Sequence, residues 1–143
     1  MEDTSYLTKT RFTEFALEPQ LLEGLADAGF EYCTKIQAES LPVALAGQDV
    51  AGQAQTGTGK TAAFLLAIFN HLLTHPRPES AGPLSTRAVV LAPTRELAIQ
   101  IHRDAQVLGR ATGLKLGLVY GGTGYQEQRE TLAGGVDVLI GTP

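Results

Sequence analysis

The stretch that decides the fold is Ala54-Gln55-Thr56-Gly57-Thr58-Gly59-Lys60-Thr61. It follows the short apolar run 50–52 and precedes the apolar segment 62–68, which predicts a strand, a glycine-rich turn and the start of a helix. In such a turn the glycines let backbone N–H groups converge on an anion, and the helix N-terminus adds its positive dipole end. The stretch therefore predicts a phosphate-binding loop.

Two side chains at the end of the loop suit a nucleotide. Lys60 can reach its β- and γ-phosphates, and the Thr61 hydroxyl can ligate Mg²⁺. The general pattern for such loops has glycine at the position held here by Ala54. Two interpretations therefore stay open at this point, an accidental match or a subtype of the loop that uses alanine.

Composition places the chain among ordinary globular domains. The 143 residues are 43% hydrophobic and 18% charged, and a net charge of −4 argues mildly against nucleic-acid binding by bulk electrostatics. The single cysteine, Cys33, excludes an intramolecular disulfide. No apolar run has the length of a membrane span, and the polar N-terminus is unlike a signal peptide. We therefore expect a soluble cytoplasmic domain with no membrane partner.

Helix and strand signals alternate along the chain. Residues 1–11 are polar and are expected to be a flexible N-terminus, and two helices, 19–28 and 36–45, precede the strand at 50–52. The later elements are expected to be helix 60–74, strand 87–92, helix 95–111, strand 114–119, helix 125–133 and strand 136–140. This alternation predicts an α/β fold with a mainly parallel sheet covered on both faces. The loops 54–60, 93–95, 120–123 and 141–143 should share the C-terminal edge of that sheet, where ligands bind.

Gln37 lies near the start of the second helix, in the stretch 29–37, with Phe12 upstream. A glutamine amide offers a donor and an acceptor together, which suits the N6/N7 edge of adenine, and an aromatic ring can stack on a base. Taken alone, a glutamine near a helix start is more often turned to solvent.

Pro93-Thr94-Arg95 forms a strand-to-helix turn that could hold a phosphate of a polymer backbone. A capping threonine beside an exposed arginine is at least as good an explanation of this turn alone. Gly121-Gly122 and Thr142-Pro143 are uninformative alone, and the polar cluster 127–130 is interpreted as a solvated helix face.

Taken together in this order and spacing, these motifs resemble those of the DEAD-box RNA helicases, over almost the whole chain from Phe12 onward. That family characteristically has alanine at the position of Ala54, which favours the subtype interpretation. The stretches 49–54 and 112–118 are most similar to the bacterial type associated with the RNA degradosome. The resemblance implies a three-layer RecA-like P-loop domain, incomplete at the C-terminal end, with residues 12–143 as the N-terminal part of the first of two such domains.

The resemblance also implies a role for each site residue, in a parent protein that unwinds short RNA duplexes with ATP and Mg²⁺. Lys60 and Thr61 would be catalytic, with Thr61 on the Mg²⁺. The ATP-binding residues would be Phe12, Thr34, Gln37, Ala54, Gln55, Thr56, Gly57, Thr58, Gly59, Lys60 and Thr61. The residues on the RNA sugar–phosphate backbone would be Pro93, Thr94, Arg95, Gly121, Gly122 and Thr142. Such contacts do not read base sequence.

Two features depart from the family pattern. Cys33 and Lys35 stand where the adenine motif usually has proline, which leaves that loop less rigid. The sequence also ends before the Asp-Glu-Ala-Asp motif and the second domain, which supply the acidic residues and the arginine fingers for hydrolysis. We therefore expect a truncated chain that alone hydrolyses ATP negligibly and unwinds nothing. The implied partners are RNA and, through segments outside this sequence, an RNA-degradation complex of the ribonuclease E type.

Two alternatives remain. One is another P-loop ATPase, such as a DNA helicase or a kinase, which Gln37 and the stretch 93–100 disfavour. The other is a module that binds nucleotide without hydrolysing it.

Overall fold

This computed structural model describes residues 4–143 of the chain. Their strands form two sheets of unequal size. An antiparallel ribbon is formed by β1 (Leu7–Arg11) and β2 (Tyr32–Thr34). A parallel sheet of order β3-β5-β4 is formed by β3 (Ala88–Leu91), β4 (Leu116–Val119) and β5 (Val138–Gly141). The helices are α1 (Pro19–Asp27), α2 (Lys35–Leu45), α3 (Lys60–Thr74), α4 (Arg95–Leu108) and α5 (Tyr125–Ala133), with a 3-10 turn at Phe12–Glu14.

The parallel sheet brings three loops to one edge. Gly141, at the end of the central strand β5, pairs with Leu91 of β3 and with Val119 of β4. Because the three strands run in the same direction, the loops that follow them leave from the same edge. The prediction that 93–95, 120–123 and 141–143 emerge together is confirmed, whereas the fourth loop of that prediction, 54–60, follows no strand of the described sheet.

Helices lie on both sides of β4, which makes the fold three-layered there. Leu116 and Leu118 pack against the hydrophobic core, which is shared with α1, α3 and α4. Gly117 faces the opposite way, and a Cβ built on it would lie 3.5 Å from the Thr131 Cγ2 of α5. Gly24 permits the close approach of α1 to α4, because a Cβ there would overlap the carbonyl oxygen of Leu108. The predicted α/β fold with a parallel sheet is confirmed.

Two predictions about the sheet are wrong in detail. The segment 50–52 is not a strand, and Val50 is exposed, because no neighbouring strand within the described residues offers it ladder hydrogen bonds. In residues 4–143, helices also do not cover both faces of β3. Val90 is buried there, but Val89 and Leu91 point the other way and are 59% and 68% exposed.

The N-terminal segment also differs from its prediction. Part of the stretch expected to be flexible, Leu7–Arg11, is strand β1, and residues 1–3 lie outside the described residues. A polar strand carries no apolar alternation for a sequence pattern to detect, and its partner β2 fixes it by backbone pairing. The Thr8 hydroxyl adds a hydrogen bond to the Cys33 carbonyl at 2.8 Å.

Candidate functional site

The loop from Ala54 to Gly59 leads directly into α3. Gly57 and Gly59 have φ angles of 83° and 86°, in the left-handed region that glycine adopts without strain. Within residues 4–143, no hydrogen bond occupies the backbone N–H groups of Thr56, Gly57 and Gly59. Unoccupied amides at a helix N-terminus form a ready anion-binding site.

Side chains of the loop hydrogen-bond to its own backbone. The Lys60 ammonium donates to the carbonyl of Ala54, and the Thr58 hydroxyl donates to the carbonyl of Gln55 at 2.6 Å. A phosphate oxygen is a stronger partner for an ammonium group than a neutral carbonyl, because both members of the pair are then charged. Lys60 is thus held across the loop at a point from which it can turn to an anion.

Gln37 joins the start of α2 to the phosphate loop. Its Oε1 accepts a hydrogen bond from the backbone N–H of Thr34 at 2.8 Å, and its Nε2 donates to the carbonyl of Gly59 at 3.1 Å. The side chain is only 4% exposed. The predicted adenine-reading residue is therefore buried against the loop, a contact across 22 residues of sequence that no local pattern indicated.

The Thr34 hydroxyl lies at the same place. It is buried, its oxygen faces the backbone N–H of Gln37 in the capping box of α2, and within the described residues its own proton has no acceptor. A Cβ built on Gly59 would lie 3.1 Å from this oxygen. Buried polar atoms are normally paired, so an orphaned hydroxyl beside a phosphate loop fits the binding of a polar ligand such as a nucleotide.

The predicted stacking role of Phe12 does not agree with its position. Phe12 is 2% exposed and belongs to the hydrophobic core, so its ring has no face open to a base. The ring of Phe30 lies 6.4 Å from it, centroid to centroid, and is 46% exposed. Phe12 is buried because the 3-10 turn at Phe12–Glu14 directs it inward, where it anchors the ribbon.

Thr61 lies in the first turn of α3 and is half-buried. Among residues 4–143, no group of three or more His, Cys, Asp or Glu side chains could hold a metal ion. One hydroxyl is a weak site for Mg²⁺, which prefers octahedral oxygen coordination shared with phosphates and water. The donor set therefore fits Mg²⁺ only as an ion carried by a nucleotide.

A second group of predicted residues meets at the C-terminal edge of the parallel sheet. Thr94 begins α4, and its hydroxyl accepts a hydrogen bond from the Leu97 N–H at 3.2 Å. Arg95 is exposed, and its guanidinium lies against Gly122, where a built Cβ would come within 2.6 Å of Nη1. The amide of Thr142 donates to the carbonyl of Val119 at 3.3 Å. Three loops, which also contain Pro93 and Gly121, thus converge here.

Gln128 of α5 is a site residue that sequence reasoning missed. Its Oε1 accepts from the backbone N–H of Tyr120 at 2.9 Å, and its Nε2 donates to the Tyr120 carbonyl at 2.8 Å. The same Nε2 donates to the Thr123 hydroxyl at 2.6 Å. The interpretation of 127–130 as a solvated face is wrong for Gln128, because a contact made back across a turn has no signature in hydrophobic periodicity.

Burial shifts the pKa of three side chains in the described part of the chain. Burial, and secondarily the negative charge of Glu14, raises the pKa of the Cys33 thiol to about 11, which keeps it neutral and unreactive near neutral pH. Burial also lowers the pKa of His102 and raises that of Asp104, both on α4. No helix within the described residues is both long and apolar enough to cross a bilayer.

Comparison with known proteins places these sites in context. The sequence model of the DEAD/DEAH box helicases matches residues 34–143. The chain is 60% identical over 138 residues to the ATP-dependent RNA helicase RhlB of Erwinia tasmaniensis, covering 96% of this chain and 32% of that protein. It is 59% identical, with 96% and 33% covered, to the protein of the same name from Sodalis glossinidius.

A solved structure is also similar. The crystal structure of a DEAD box protein from the hyperthermophile Methanococcus jannaschii superposes with a TM-score of 0.80 at 34% sequence identity. The match covers 93% of this chain and 34% of that one. The chain therefore spans about a third of the length of the curated relatives it matches.

Proposed function

Because the chain belongs to the DEAD/DEAH box helicase family, we propose that it forms the ATP- and RNA-binding part of an ATP-dependent RNA helicase. The observation that carries the proposal is the hydrogen bond between Gln37 and Gly59. It joins a candidate adenine reader to the predicted phosphate loop through one buried amide, which supports a site for an adenine nucleotide. The match to the helicase family over residues 34–143 also gives no support to the alternative that the chain is a small-molecule kinase.

The proposed nucleotide site uses the loop amides and four side chains. The N–H groups of 56–59 bind the phosphates, Lys60 turns from the Ala54 carbonyl to the β- and γ-phosphates, and Thr61 ligates the Mg²⁺ that accompanies them. Thr34 and Gln37 face the adenine. Both the oxygen and the nitrogen of the Gln37 amide already hydrogen-bond to the protein. Adenine must therefore replace or share these hydrogen bonds, and its binding changes the contact between Gln37 and Gly59.

The proposed RNA site is the loop cluster at the edge of the parallel sheet. Its members are Pro93, Thr94, Arg95, Gly121, Gly122 and Thr142. Exposed glycines and helix N-termini present backbone amides, and Arg95 supplies a charge, which together suit sugar–phosphate contacts rather than base edges. A chain of net charge −4 can bind RNA in this way because the contacts are local.

Bound ATP and Mg²⁺ supply the phosphoryl chemistry. Hydrolysis needs an acidic residue to hold the metal and a group to position water, and the printed sequence lacks the Asp-Glu-Ala-Asp motif. Our proposal for these 143 residues is therefore binding without efficient turnover. By resemblance to the degradosome-associated type, we extend the proposal to a cytoplasmic role in RNA degradation with a ribonuclease E type partner, which co-purification would test.

Nucleotide selectivity tests the proposal. We expect the protein to bind a fluorescent ATP analogue more tightly than its GTP counterpart, and Gln37→Ala to remove that preference while triphosphate binding persists. Lys60→Ala should weaken both nucleotides alike. Gln100→Ala, on the exposed side of α4, is the control. An unchanged ATP preference in a folded Gln37→Ala variant would contradict the proposed role of Gln37.

A further inference from the structure

We propose that Gln128 is a positioning residue for the RNA-backbone site. From its place on α5, Gln128 holds the turn 120–123 in one conformation, and the turn then holds the Arg95 side chain in place. The inference rests on the proposed function, because it concerns the same loop cluster. Gln128 itself is outside the residues that the resemblance assigned to RNA.

The first step is the set of hydrogen bonds between Gln128 and the turn 120–123. The side chain reaches back eight residues to Tyr120 and engages both its N–H and its carbonyl, and it also engages the hydroxyl of Thr123. The two glycines in between have no side chains with which to pack, and both are exposed. Three hydrogen bonds from one half-buried amide therefore define the conformation of a turn that would otherwise be held weakly.

The second step links the turn to Arg95. Gly122 has a φ of 84°, and a Cβ on it would lie 2.6 Å from Nη1, 2.9 Å from Cζ and 2.9 Å from Nη2 of Arg95. The guanidinium thus rests directly on the backbone of the turn. No carboxylate within residues 4–143 forms an ion pair with Arg95, so its charge stays available to a phosphate.

The third step excludes a hydrogen bond from Gln128 to an RNA phosphate in this arrangement, because a phosphate oxygen can only accept. An amide side chain has two N–H donors, and here they point to the Tyr120 carbonyl and the Thr123 hydroxyl. Its oxygen accepts from the Tyr120 amide. Gln128 therefore acts through the turn and through Arg95, which is kept in one orientation before any phosphate arrives.

A double-mutant cycle tests this chain of contacts. The variants are Arg95→Ala, Gln128→Ala and their combination, with Gln126→Ala as the matched control, since Gln126 is on the same helix but donates to Glu130. Gln128→Glu is the conservative second variant, which keeps an acceptor for Tyr120 N–H and loses both donors. The readouts are anisotropy of a labelled single-stranded oligouridylate across a salt series, binding of an ATP analogue, and thermal melting.

We expect Arg95→Ala to weaken RNA binding about 10-fold or more, since a charge-assisted contact is lost, and to reduce the salt slope by about 1. Gln128→Ala and Gln128→Glu should weaken RNA binding about 3–10-fold and reduce the same slope, with ATP binding unchanged. The double variant should bind no more weakly than Arg95→Ala alone, and Gln126→Ala should match the parent.

The outcomes separate the two proposals. Additive effects of Gln128→Ala and Arg95→Ala, or wild-type RNA binding by both Gln128 variants, would overturn the positioning role while leaving the RNA site intact. If Gln128→Ala melts before it can be measured, Gln128→Glu decides by the same criteria. Wild-type RNA binding by Arg95→Ala would instead refute the proposed RNA site itself.

Discussion

Replacing Gly59 with alanine should damage the phosphate loop more than the same change at Gly57. Both glycines have left-handed backbone, so each substitution carries a similar conformational cost of about 1–2 kcal/mol. They differ in their surroundings. A Cβ on Gly57 meets nothing within 4 Å, whereas a Cβ on Gly59 would overlap the Nε2 of Gln37 and lie 3.0 Å from its Cδ. The pair is therefore a matched comparison.

The extra cost at Gly59 follows from the bonds that Gln37 makes. If the methyl group displaces the Gln37 amide, the hydrogen bond to the Gly59 carbonyl is lost, at about 1 kcal/mol. The backbone N–H of Thr34 then loses its acceptor in a buried place, which costs about 1–3 kcal/mol. We therefore expect Gly59→Ala to be less stable than Gly57→Ala by about 2–4 kcal/mol.

Urea unfolding followed by far-UV circular dichroism measures the difference, since the chain contains no tryptophan for fluorescence. A double variant with Gln37→Ala checks the mechanism. Removing the glutamine amide removes the overlap, so Gly59→Ala should cost less in that background than in the parent. Equal losses of stability for Gly59→Ala and Gly57→Ala, or strict additivity with Gln37→Ala, would refute this account of the loop.

Three further predictions concern stability, pH and turnover. The Asp137 carboxylate is 16% exposed and accepts hydrogen bonds from Arg77 Nη2 at 2.8 Å and from the Lys115 backbone N–H at 2.9 Å. Asp137→Ala should therefore lower the free energy of unfolding by about 2–4 kcal/mol. Asp27 is exposed and paired with Arg110, so Asp27→Ala should lower the free energy of unfolding by at most about 1 kcal/mol in the same urea assay. A larger loss for Asp27→Ala than for Asp137→Ala would contradict this ranking. The folded state holds the Cys33 proton more tightly than the unfolded state, so the stability that Cys33 contributes is complete below pH 9 and is lost as pH rises towards about 11. Urea midpoints at pH 8 and near pH 11 should therefore differ more for the parent than for Cys33→Ala, and parallel pH profiles would show that the raised pKa is absent. Finally, the 143-residue polypeptide should release negligible phosphate from ATP with or without RNA in a steady-state assay, and RNA-stimulated turnover would disprove the need for the acidic motif.

Helices were predictable wherever their ends are set by local chemistry. α3 and α5 have the predicted bounds, and α4 begins at Arg95 because the Thr94 hydroxyl caps it. α4 stops at Leu108, short of the predicted Ala111, with Gly109 at its C-cap. These signals act over three or four residues, so a linear sequence contains all of them.

Strands were less predictable because each depends on a partner. The apolar runs of β3, β4 and β5 indicated strands correctly, since all three find neighbours in one sheet. The similar run at 50–52 finds none among the described residues, and the polar β1 forms a strand because β2 is beside it. An apolar sequence indicates that a segment can be buried, whereas strand pairing depends on which other segment lies beside it in the fold.

The sequence by itself determined the family and predicted the phosphate-binding loop. Glycines at positive φ, a lysine and a threonine at a helix start act within eight consecutive residues, and the order of the remaining motifs requires no coordinates. Only the tertiary structure decided that Gln37 is bonded to Gly59, that Phe12 is buried, and that the turn held by Gln128 supports Arg95. The physical reason is range: torsional preferences and caps are local, whereas these contacts arise from how helices pack and where parallel strands end.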